Sequence, residues 1–254
     1  MERGGVQSLD RAFDLLELLC KSPNGMTIHR LSETTGLHKS TVHRLLNAMA
    51  DRGYVQRDTE SAVYRAGMRI CELGDYVLDN LDVVARARDA MERLSRHTGE
   101  TVHLVMRQGN EIVYIHKVES IHGGVRMVSR IGARRPLYCT GVGKAILASQ
   151  SDQEALECWN SSTRIAYTPH TITKEAAFLH ELNEIRRLGY ALDNEENELD
   201  VRCVATAIPD WRGQCQYALS ISAPLSRMTD ERIMNMVPDL MQARQEIAVN
   251  LGAR

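Results

Sequence analysis

The sequence predicts an α+β chain with a small helical N-terminal domain, a helical connector and a larger C-terminal domain built on an antiparallel sheet. Three observations predict it. Apolar residues recur at helical spacing through the first 50 residues, the same spacing returns from residue 68 to 98, and short strands alternate with helices after Gly99. We place the domains at 1–66, 67–82 and 83–254, because 254 residues suffice for more than one core.

Helical spacing of apolar residues dominates the first 66 residues. Three helices are predicted from capping and chain-breaking residues. The first is capped by Ser8 or Asp10 and broken by Pro23 to Gly25. The second is capped by Thr27 and ends at Gly36, and the third begins near His38 or Lys39. The third helix carries an inward stripe at positions i, i+3, i+4 and i+7, formed by Val42, Leu45, Leu46 and Met49. Two short strands, 54–57 and 62–65, are predicted to follow as a hairpin.

The pattern from Met68 to Thr98 predicts a stiff connector of two helices, the second capped by Asp82. The C-terminal domain then has predicted strands at 101–107, 111–118, 125–131, 201–208 and 215–223, and helices at 143–149, 151–160, 174–188 and from Thr229 onward. Its predicted helix signals are a capping box of Ser151 and Glu154, a cap at Thr173, a stop at Gly189, and a kink or split at Pro238.

Three helices with a glycine turn before the third, followed by a hairpin, form the layout of a winged helix-turn-helix. The net charge of the whole chain is only −2, yet the segment from Gly36 to Ala50 is basic and contains no Asp or Glu. Such a helix fits the major groove of DNA. The predicted DNA contacts are Lys39, Ser40, Thr41, His43, Arg44, Asn47, Arg57 and Arg65. The alternative is an ordinary three-helix bundle with a solvated basic face.

Composition excludes several other classes of protein. The six cysteines form no C-x-x-C pair and suit neither a zinc ribbon nor a disulfide scaffold. No apolar run approaches the length of a membrane span, and no signal peptide precedes the first helix. No nucleophile has a partner base in a recognisable context. We therefore expect a soluble, cytoplasmic protein without catalytic residues, metal, cofactor or membrane association.

Strand alternation in the second hairpin of the C-terminal domain predicts a small pocket. Ser220 and Ser222 share one face of their strand, and Val201, Cys203 and Ala205 share one face of the preceding strand. Buried serine hydroxyls need hydrogen-bond partners, which a polar ligand supplies. The pocket exists if these two faces coincide.

Several phrases of the chain resemble the IclR family of bacterial regulators. They are Leu31 to Leu46 for the helix-turn-helix, and Pro136 to Ala145, Asp193 to Glu196, Val201 to Cys203 and Leu219 to Ser222 for the effector domain. Ser129 to Gly132 together with Pro136 to Tyr138 look most like the branch that controls sugar-acid catabolism, of the ketodeoxygluconate or diketogulonate type. The motifs follow the family's order over nearly the whole chain.

The resemblance implies a GAF- or profilin-like effector domain whose serine and cysteine faces coincide. It also implies a site for a small carboxylate, a sugar acid or keto acid, in contact with Met127, Gly141, Val142, Asp193, Val201, Cys203, Ser220 and Ser222. Arg130 is a candidate counter-charge. The family commonly has glycine where this chain has Asp200, so the loop entering that strand is expected to differ.

Three hypotheses of function follow. The first is a regulator that reads a two-fold operator in double-stranded DNA as a homodimer or tetramer, and represses a carbohydrate or sugar-acid catabolic operon until the acid binds; activation is the variant of opposite sign. The second is an enzyme acting on a small acid through Asp193, Cys203 or a histidine. The third is a DNA-binding protein that has lost ligand control, for which Asp200 is the sequence support.

Overall fold

A computed structural model describes residues 6–58, 61–79, 82–120 and 129–253 of the chain. The chain divides into two compact units, Met1–Leu81 and Asp82–Arg254. Among the described residues, none of the helices combines the length and apolar character needed to cross a bilayer.

The first unit is a three-helix core flanked by a small sheet and followed by one more helix. Its described elements are α1 (Gln7–Cys20), β1 (Met26–Thr27), α2 (Ile28–Thr35), α3 (Lys39–Ala50), β2 (Val55–Arg57), β3 (Val63–Ala66) and α4 (Arg69–Asp79). The strands pair antiparallel in the order β1-β3-β2. The winged helix-turn-helix arrangement is therefore confirmed, while β1 is an addition too short to show alternation in the sequence.

Buried leucines and one valine hold the first three helices together. The core includes Leu15, Leu19, Leu31, Val42 and Leu46. The predicted stripe of α3 thus faces inward, with Leu45 and Met49 partly buried beside it. Burial of each such side chain contributes about 1.5–3 kcal/mol relative to leaving it in water.

The ends of these helices follow the predicted signals with one exception. The Thr27 hydroxyl accepts from the Arg30 backbone N–H, and Gly36 ends α2 in the left-handed conformation at φ 69°. The predicted cap of α1 is wrong, because that helix begins one residue before Ser8. Its N-cap position is Val6, which offers no side-chain hydrogen bond.

The second unit is an antiparallel sheet with helices on both faces. Its described elements are α5 (Val83–Thr98), β4 (Thr101–Gln108), β5 (Glu111–Val118), β6 (Arg134–Pro136), α6 (Gly141–Ala148), α7 (Asp152–Ser161), α8 (Glu175–Leu188), β7 (Ala191–Asn194), β8 (Val201–Ile208), β9 (Tyr217–Pro224) and α9 (Asp230–Asn250). The strand order is β6-β5-β4-β9-β8-β7, and every pairing is antiparallel. The α+β class is confirmed.

The two faces of this sheet pack against different helices. On one face, Val105, Ala205 and Ala218 join the core formed by α6, α7 and α8. Helices α5 and α9 contact β4, β8 and β9, where alternation turns Leu104 and Ile221 to the opposite face. Small alanines under α6 let this helix approach the sheet closely, which brings its first turn next to the strands.

Four expectations for this unit need correction. The predicted strand 125–131 is not observed in its described part, residues 129–131, and the edge strand is β6 instead; residues 125–128 lie outside the described chain. Strand β7 is an addition to the predicted strands. Helix α8 is preceded by Lys174 rather than capped by Thr173. Helix α9 is not split at Pro238, and the buried residues Met236 and Leu240 lie on either side of it.

Candidate DNA-binding surface and effector cavity

The outer face of α3 presents the predicted DNA contacts to solvent. Thr41 is half-buried, and the exposed residues are Lys39, Ser40, His43, Arg44 and Asn47. The helix is capped by His38, whose Nδ1 lies 2.8 Å from the Ser40 hydroxyl. A helix that buries Val42 and Leu46 on one side therefore leaves a continuous polar and basic face on the other.

The hairpin of β2 and β3 carries the two further predicted contacts. Arg57 and Arg65 are both exposed. Because Arg57 pairs with Tyr64 in the register, Arg57 and Arg65 belong to opposite faces of the ribbon. The Arg57 guanidinium lies 5.8 Å from the centre of the Tyr64 ring, which restricts its orientation.

The second unit contains a cavity of about 40 Å³ between the sheet, the start of α6 and the loop after β7. Its lining consists of His103, Tyr114, Ser129, Ala133, Arg135, Thr140, Gly141, Val142, Asp193, Asn197, Glu198, Val201, Cys203, Ser220 and Ser222. Seven of the eight residues expected at the effector site lie here, and the eighth, Met127, falls outside the described residues.

Strand register explains why these side chains meet. Cys203 stands opposite Ser222, and Ala205 opposite Ser220, so the serine and cysteine faces coincide as the sequence and the resemblance suggested. On the other side of β9, His103 pairs with Ser220. Directly paired residues in an antiparallel sheet point to the same face.

The first turn of α6 forms another wall of the cavity. The Thr140 hydroxyl accepts from the Gly143 N–H at 3.1 Å. A Cβ at Gly143 would lie 2.2 Å from the Leu137 carbonyl oxygen, so only glycine fits there. The Gly141 and Val142 amides belong to the first turn, where backbone N–H groups have no partner within the helix. Such amides attract an anionic group.

His103 is a neutral hydrogen-bonding group at the base of the cavity. Its Nδ1 lies 3.2 Å from the Ser222 hydroxyl and its Nε2 lies 2.7 Å from the Ser129 hydroxyl. Burial, reinforced by the nearby Lys117 charge, lowers the pKa of His103 to about 3. The imidazole therefore acts as donor and acceptor without adding positive charge.

Asp193 supplies a buried carboxyl on the opposite side. Burial and the neighbouring Glu196 carboxylate raise its pKa to about 7, while Lys144 opposes the shift. One oxygen of Asp193 accepts the Glu196 N–H at 2.8 Å. Beside it, the buried Oδ1 of Asn197 accepts no hydrogen bond from the described residues. The cavity thus offers acceptors that a ligand hydroxyl could use.

Arg135 is a cation that lines the cavity and was missed in the sequence. Its expected counterpart, Arg130, is exposed and is not among the lining residues. The difference arises from β6, which pairs Arg135 with Ile112 at the sheet edge. Also missed were Tyr114, His103, Ser129 and Glu198; alternation along β4 and β5 could have flagged His103 and Tyr114, but only knowledge of the strand order places them beside Ser220.

Family models match both units of the chain. The IclR helix-turn-helix domain matches residues 8–59, and the bacterial transcriptional regulator IclR C-terminal domain matches residues 75–249. This chain belongs to the IclR family. Among its relatives in Escherichia coli K12, the regulator XynR is 35% identical over 97% of this chain and 98% of its own. The regulator KdgR is 38% identical over 97% and 93%.

Solved structures of IclR proteins share the fold. The Thermotoga maritima IclR structure is 33% identical and has a TM-score of 0.66, covering 98% of this chain and all of its own. The Agobacterium tumefaciens repressor BlcR is 26% identical with a TM-score of 0.72, covering 97% of each chain. Because the IclR relatives are named as transcriptional regulators, this chain is a DNA-binding transcriptional regulator and not an enzyme.

The position at which this IclR chain departs from the family's usual glycine keeps the geometry that glycine favours. Asp200 adopts φ 62°, a left-handed conformation that aspartate tolerates better than most residues. Its N–H donates to Glu195 Oε2 at 2.9 Å, and its carbonyl accepts from the Leu225 N–H at 2.7 Å. Asp200 therefore holds the loop onto the residue that follows β9.

Proposed function

We propose that this IclR-family regulator represses a carbohydrate or sugar-acid catabolic operon and is released by a small carboxylate in the cavity. The observation that carries the proposal is the lining itself, which combines the cation of Arg135 with hydroxyls and the buried carboxyl of Asp193. The names of two relatives support repression rather than activation: YiaJ and AllR of Escherichia coli are named as transcriptional repressors.

The DNA-binding role is assigned to the exposed face of α3. Arg44 and Asn47 offer the donors that read base edges in the major groove, whereas Lys39, Ser40 and Thr41 at the helix start suit backbone phosphates. His43 shares this face, and Arg57 and Arg65, on opposite faces of the hairpin, are the proposed contacts of the wing. In this proposal residues 1–66 form the DNA-binding domain, 67–82 the connector, and 83–254 the effector domain.

The cavity has complementary groups for a hydroxylated acid. Arg135 and the amides of Gly141 and Val142 would hold the carboxylate, since each is a positive group in the cavity lining. Asp193, Ser220 and Ser222 would take hydroxyl or keto groups, with Cys203 and Val201 packing against carbon. A sugar acid or keto acid satisfies both ends.

A second copy of the chain is the partner expected at α1. Val6, Leu9 and Phe13 follow one another at spacings of three and four residues and are all more than half exposed. An apolar stripe of this kind marks a contact surface. A homodimer would present two copies of α3 to a two-fold operator, with each α3 in a half-site.

The test is a gel-retardation series with DNA from upstream of the gene, run at low salt with 2-keto-3-deoxygluconate, D-gluconate and glyoxylate. We expect retardation that one acid abolishes. The variant Arg135→Gln should need at least tenfold more acid for release, because a cation that pairs with the carboxylate is lost. The matched control Arg134→Gln changes the adjacent arginine, which is exposed and pairs with Glu111, and should stay within twofold.

Three results would each overturn a different part of the proposal. Absence of retardation at low salt would remove the DNA-binding assignment. Equal sensitivity of the Arg135 and Arg134 variants to the acid would remove Arg135 from the site. Retardation that requires the acid would reverse the sign, from repressor to activator.

A further inference from the structure

Lys144 is a fully buried cation immediately behind the effector cavity. It lies in α6, one turn after Gly141 and Val142, and its exposed fraction is 0%. It is absent from the cavity lining. A buried ammonium group is costly unless it is paired. Packing alone therefore does not explain why a lysine lies at this position.

The Lys144 ammonium group donates hydrogen bonds to two carboxylates, which lie on two separate segments of the chain. Its Nζ donates to Glu181 of α8 at 2.8 Å and to Glu196 in the loop after β7 through a shorter contact. Glu196 is itself only 4% exposed, and its second carboxylate oxygen has no partner among the described residues. Lys144 thus ties the start of α6 to α8 and to the loop.

The tethered loop carries part of the cavity wall. Asn197 and Glu198 line the cavity directly. The backbone N–H groups of Glu196 and Asn197 both donate to Oδ1 of Asp193, at 2.8 and 3.4 Å. A shift of Glu196 would therefore displace the two residues that follow it and release the Asp193 carboxyl at the same time.

Threonine hydroxyls fix the same loop from outside. Thr168 donates to the Glu195 carbonyl at 2.5 Å, and Thr171 donates to the Glu196 carbonyl at 2.6 Å. These bonds hold the backbone only. The Glu196 side chain is held by Lys144, which makes this ion pair the link between the loop and the helix that also walls the cavity.

We infer that Lys144 is a positioning residue for the effector, acting through Glu196 to hold loop 195–200 so that Asp193, Asn197 and Glu198 face the cavity. The inference rests on the proposed function for its ligand. Its structural part, the dependence of the loop on Lys144, stands independently of which molecule binds.

Three variants and one control separate this role from general stabilisation. Lys144→Met removes the cation, Glu196→Gln removes its partner, and the double variant removes both. Glu184→Gln is the control, because Glu184 lies on the same helix as Glu181 but pairs with Arg187 instead of Lys144. Hydrogen exchange by mass spectrometry reports the loop amides, and calorimetry reports affinity for 2-keto-3-deoxygluconate in the full-length protein.

We expect Glu196→Gln to raise amide exchange in 195–200 at least tenfold and to weaken binding of the probe at least tenfold. In the Lys144→Met background the same substitution should change either quantity less than threefold, because the pair is already broken. Amides of α7, remote from the pair, should exchange as in the wild type. The Glu184→Gln variant should match the wild type in both measurements.

The inference is overturned if Glu196→Gln leaves loop exchange and probe affinity within twofold of the wild type. It is also overturned if exchange rises equally throughout residues 82–254, which would indicate general destabilisation. Because Glu196→Gln leaves Lys144 paired with Glu181, this variant retains a satisfied cation and gives an answer even if Lys144→Met does not fold. If the wild type binds no acid, the proposed effector fails, and the exchange measurement alone still decides the role of Lys144.

Discussion

Burial acts in opposite directions on the pKa values of two groups of the cavity, His103 and Asp193, and in both cases it favours the neutral form. It lowers the pKa of His103 to about 3 and raises that of Asp193 to about 7. At neutral pH the histidine is uncharged, while Asp193 is divided between its two forms. A ligand hydroxyl that donates to Asp193 favours the carboxylate, so effector binding should draw the pKa of Asp193 down.

The same shift makes a prediction about stability. Asp193 holds its proton more tightly in the folded chain than in the unfolded one, so its contribution is fully present below pH 4 and is lost as the pH rises to about 7. Asp193→Asn removes this loss. Relative to the wild type, the variant should gain on the order of 2 kcal/mol in free energy of unfolding between pH 5 and pH 8.

Urea denaturation at the two pH values measures this difference. The control is Asp152→Asn, which changes an exposed aspartate in the same unit and should show no such gain. A variant that keeps the wild-type pH dependence would show that Asp193 ionises normally in the folded protein.

Asp200 illustrates what one residue type conceals in a sequence. A glycine replaced by aspartate suggested a changed loop, yet the backbone retains the positive φ that glycine would adopt. Left-handed geometry costs most residues about 1–2 kcal/mol, and aspartate is among the few that visit it routinely. What matters at this position is therefore the left-handed backbone conformation, which the identity of the side chain alone does not reveal.

At the scale of elements, helices were predictable, whereas of the short strands only β2 and β3 were, because a turn signal lies between them. Helices α2, α5 and α7 begin at the predicted caps Thr27, Asp82 and Ser151, because a cap is a local hydrogen bond that sequence spacing reveals. Strands β1, β6 and β7 have two to four residues, too few to show alternation. They form because longer neighbours offer unpaired backbone edges, which is information from outside the segment.

The residues of the candidate site also differ in whether a local pattern in the sequence could predict them. Gly141, Ser220 and Ser222 were found through family phrases and alternation within one strand. Arg135 and Tyr114 enter the cavity because β6 pairs with β5, and β5 with β4. Those pairings are non-local, so no pattern within either strand could supply them.

Helix α3 makes a prediction of its own about salt. Lys39, which we propose as a phosphate contact, is exposed at the first position of this helix. Each neutralised phosphate releases a counterion and contributes about 0.9 to the slope of log affinity against log salt. Lys39→Gln should lower that slope by about 0.9 per subunit and leave operator preference over random DNA unchanged.

Fluorescence anisotropy with labelled operator measures the slope between 50 and 200 mM salt. Over this range a protein with several phosphate contacts typically loses about 10³–10⁵ in affinity for DNA. Lys21→Gln is the matched control, since Lys21 is an exposed lysine of the same unit that pairs with Glu17 instead. An unchanged slope for Lys39→Gln would place the phosphates elsewhere on the surface.

At the scale of the whole molecule, the chain consists of two compact units with separate cores. The C-terminal domain of Escherichia coli KdgR has been solved as a separate structure that is 37% identical to this chain, with a TM-score of 0.62 over 68% of it. Because residues 82–254 have a core of their own, we expect this part of the chain to fold alone and to keep the proposed effector cavity. Regulation then requires that binding in one unit alter affinity in the other.

Coupling between the two sites must be reciprocal. If the acid weakens operator binding by some factor, the operator weakens acid binding by the same factor. For a repressor we expect about tenfold, equal to about 1.4 kcal/mol, in the full chain and no effect of operator on the fragment 82–254. Calorimetric titration of the releasing acid, with and without saturating operator, measures both. Tighter acid binding in the presence of operator would indicate activation. No change in the full chain would mean that the cavity does not control DNA binding, because a ligand shifts an equilibrium only through its difference in affinity for the two states.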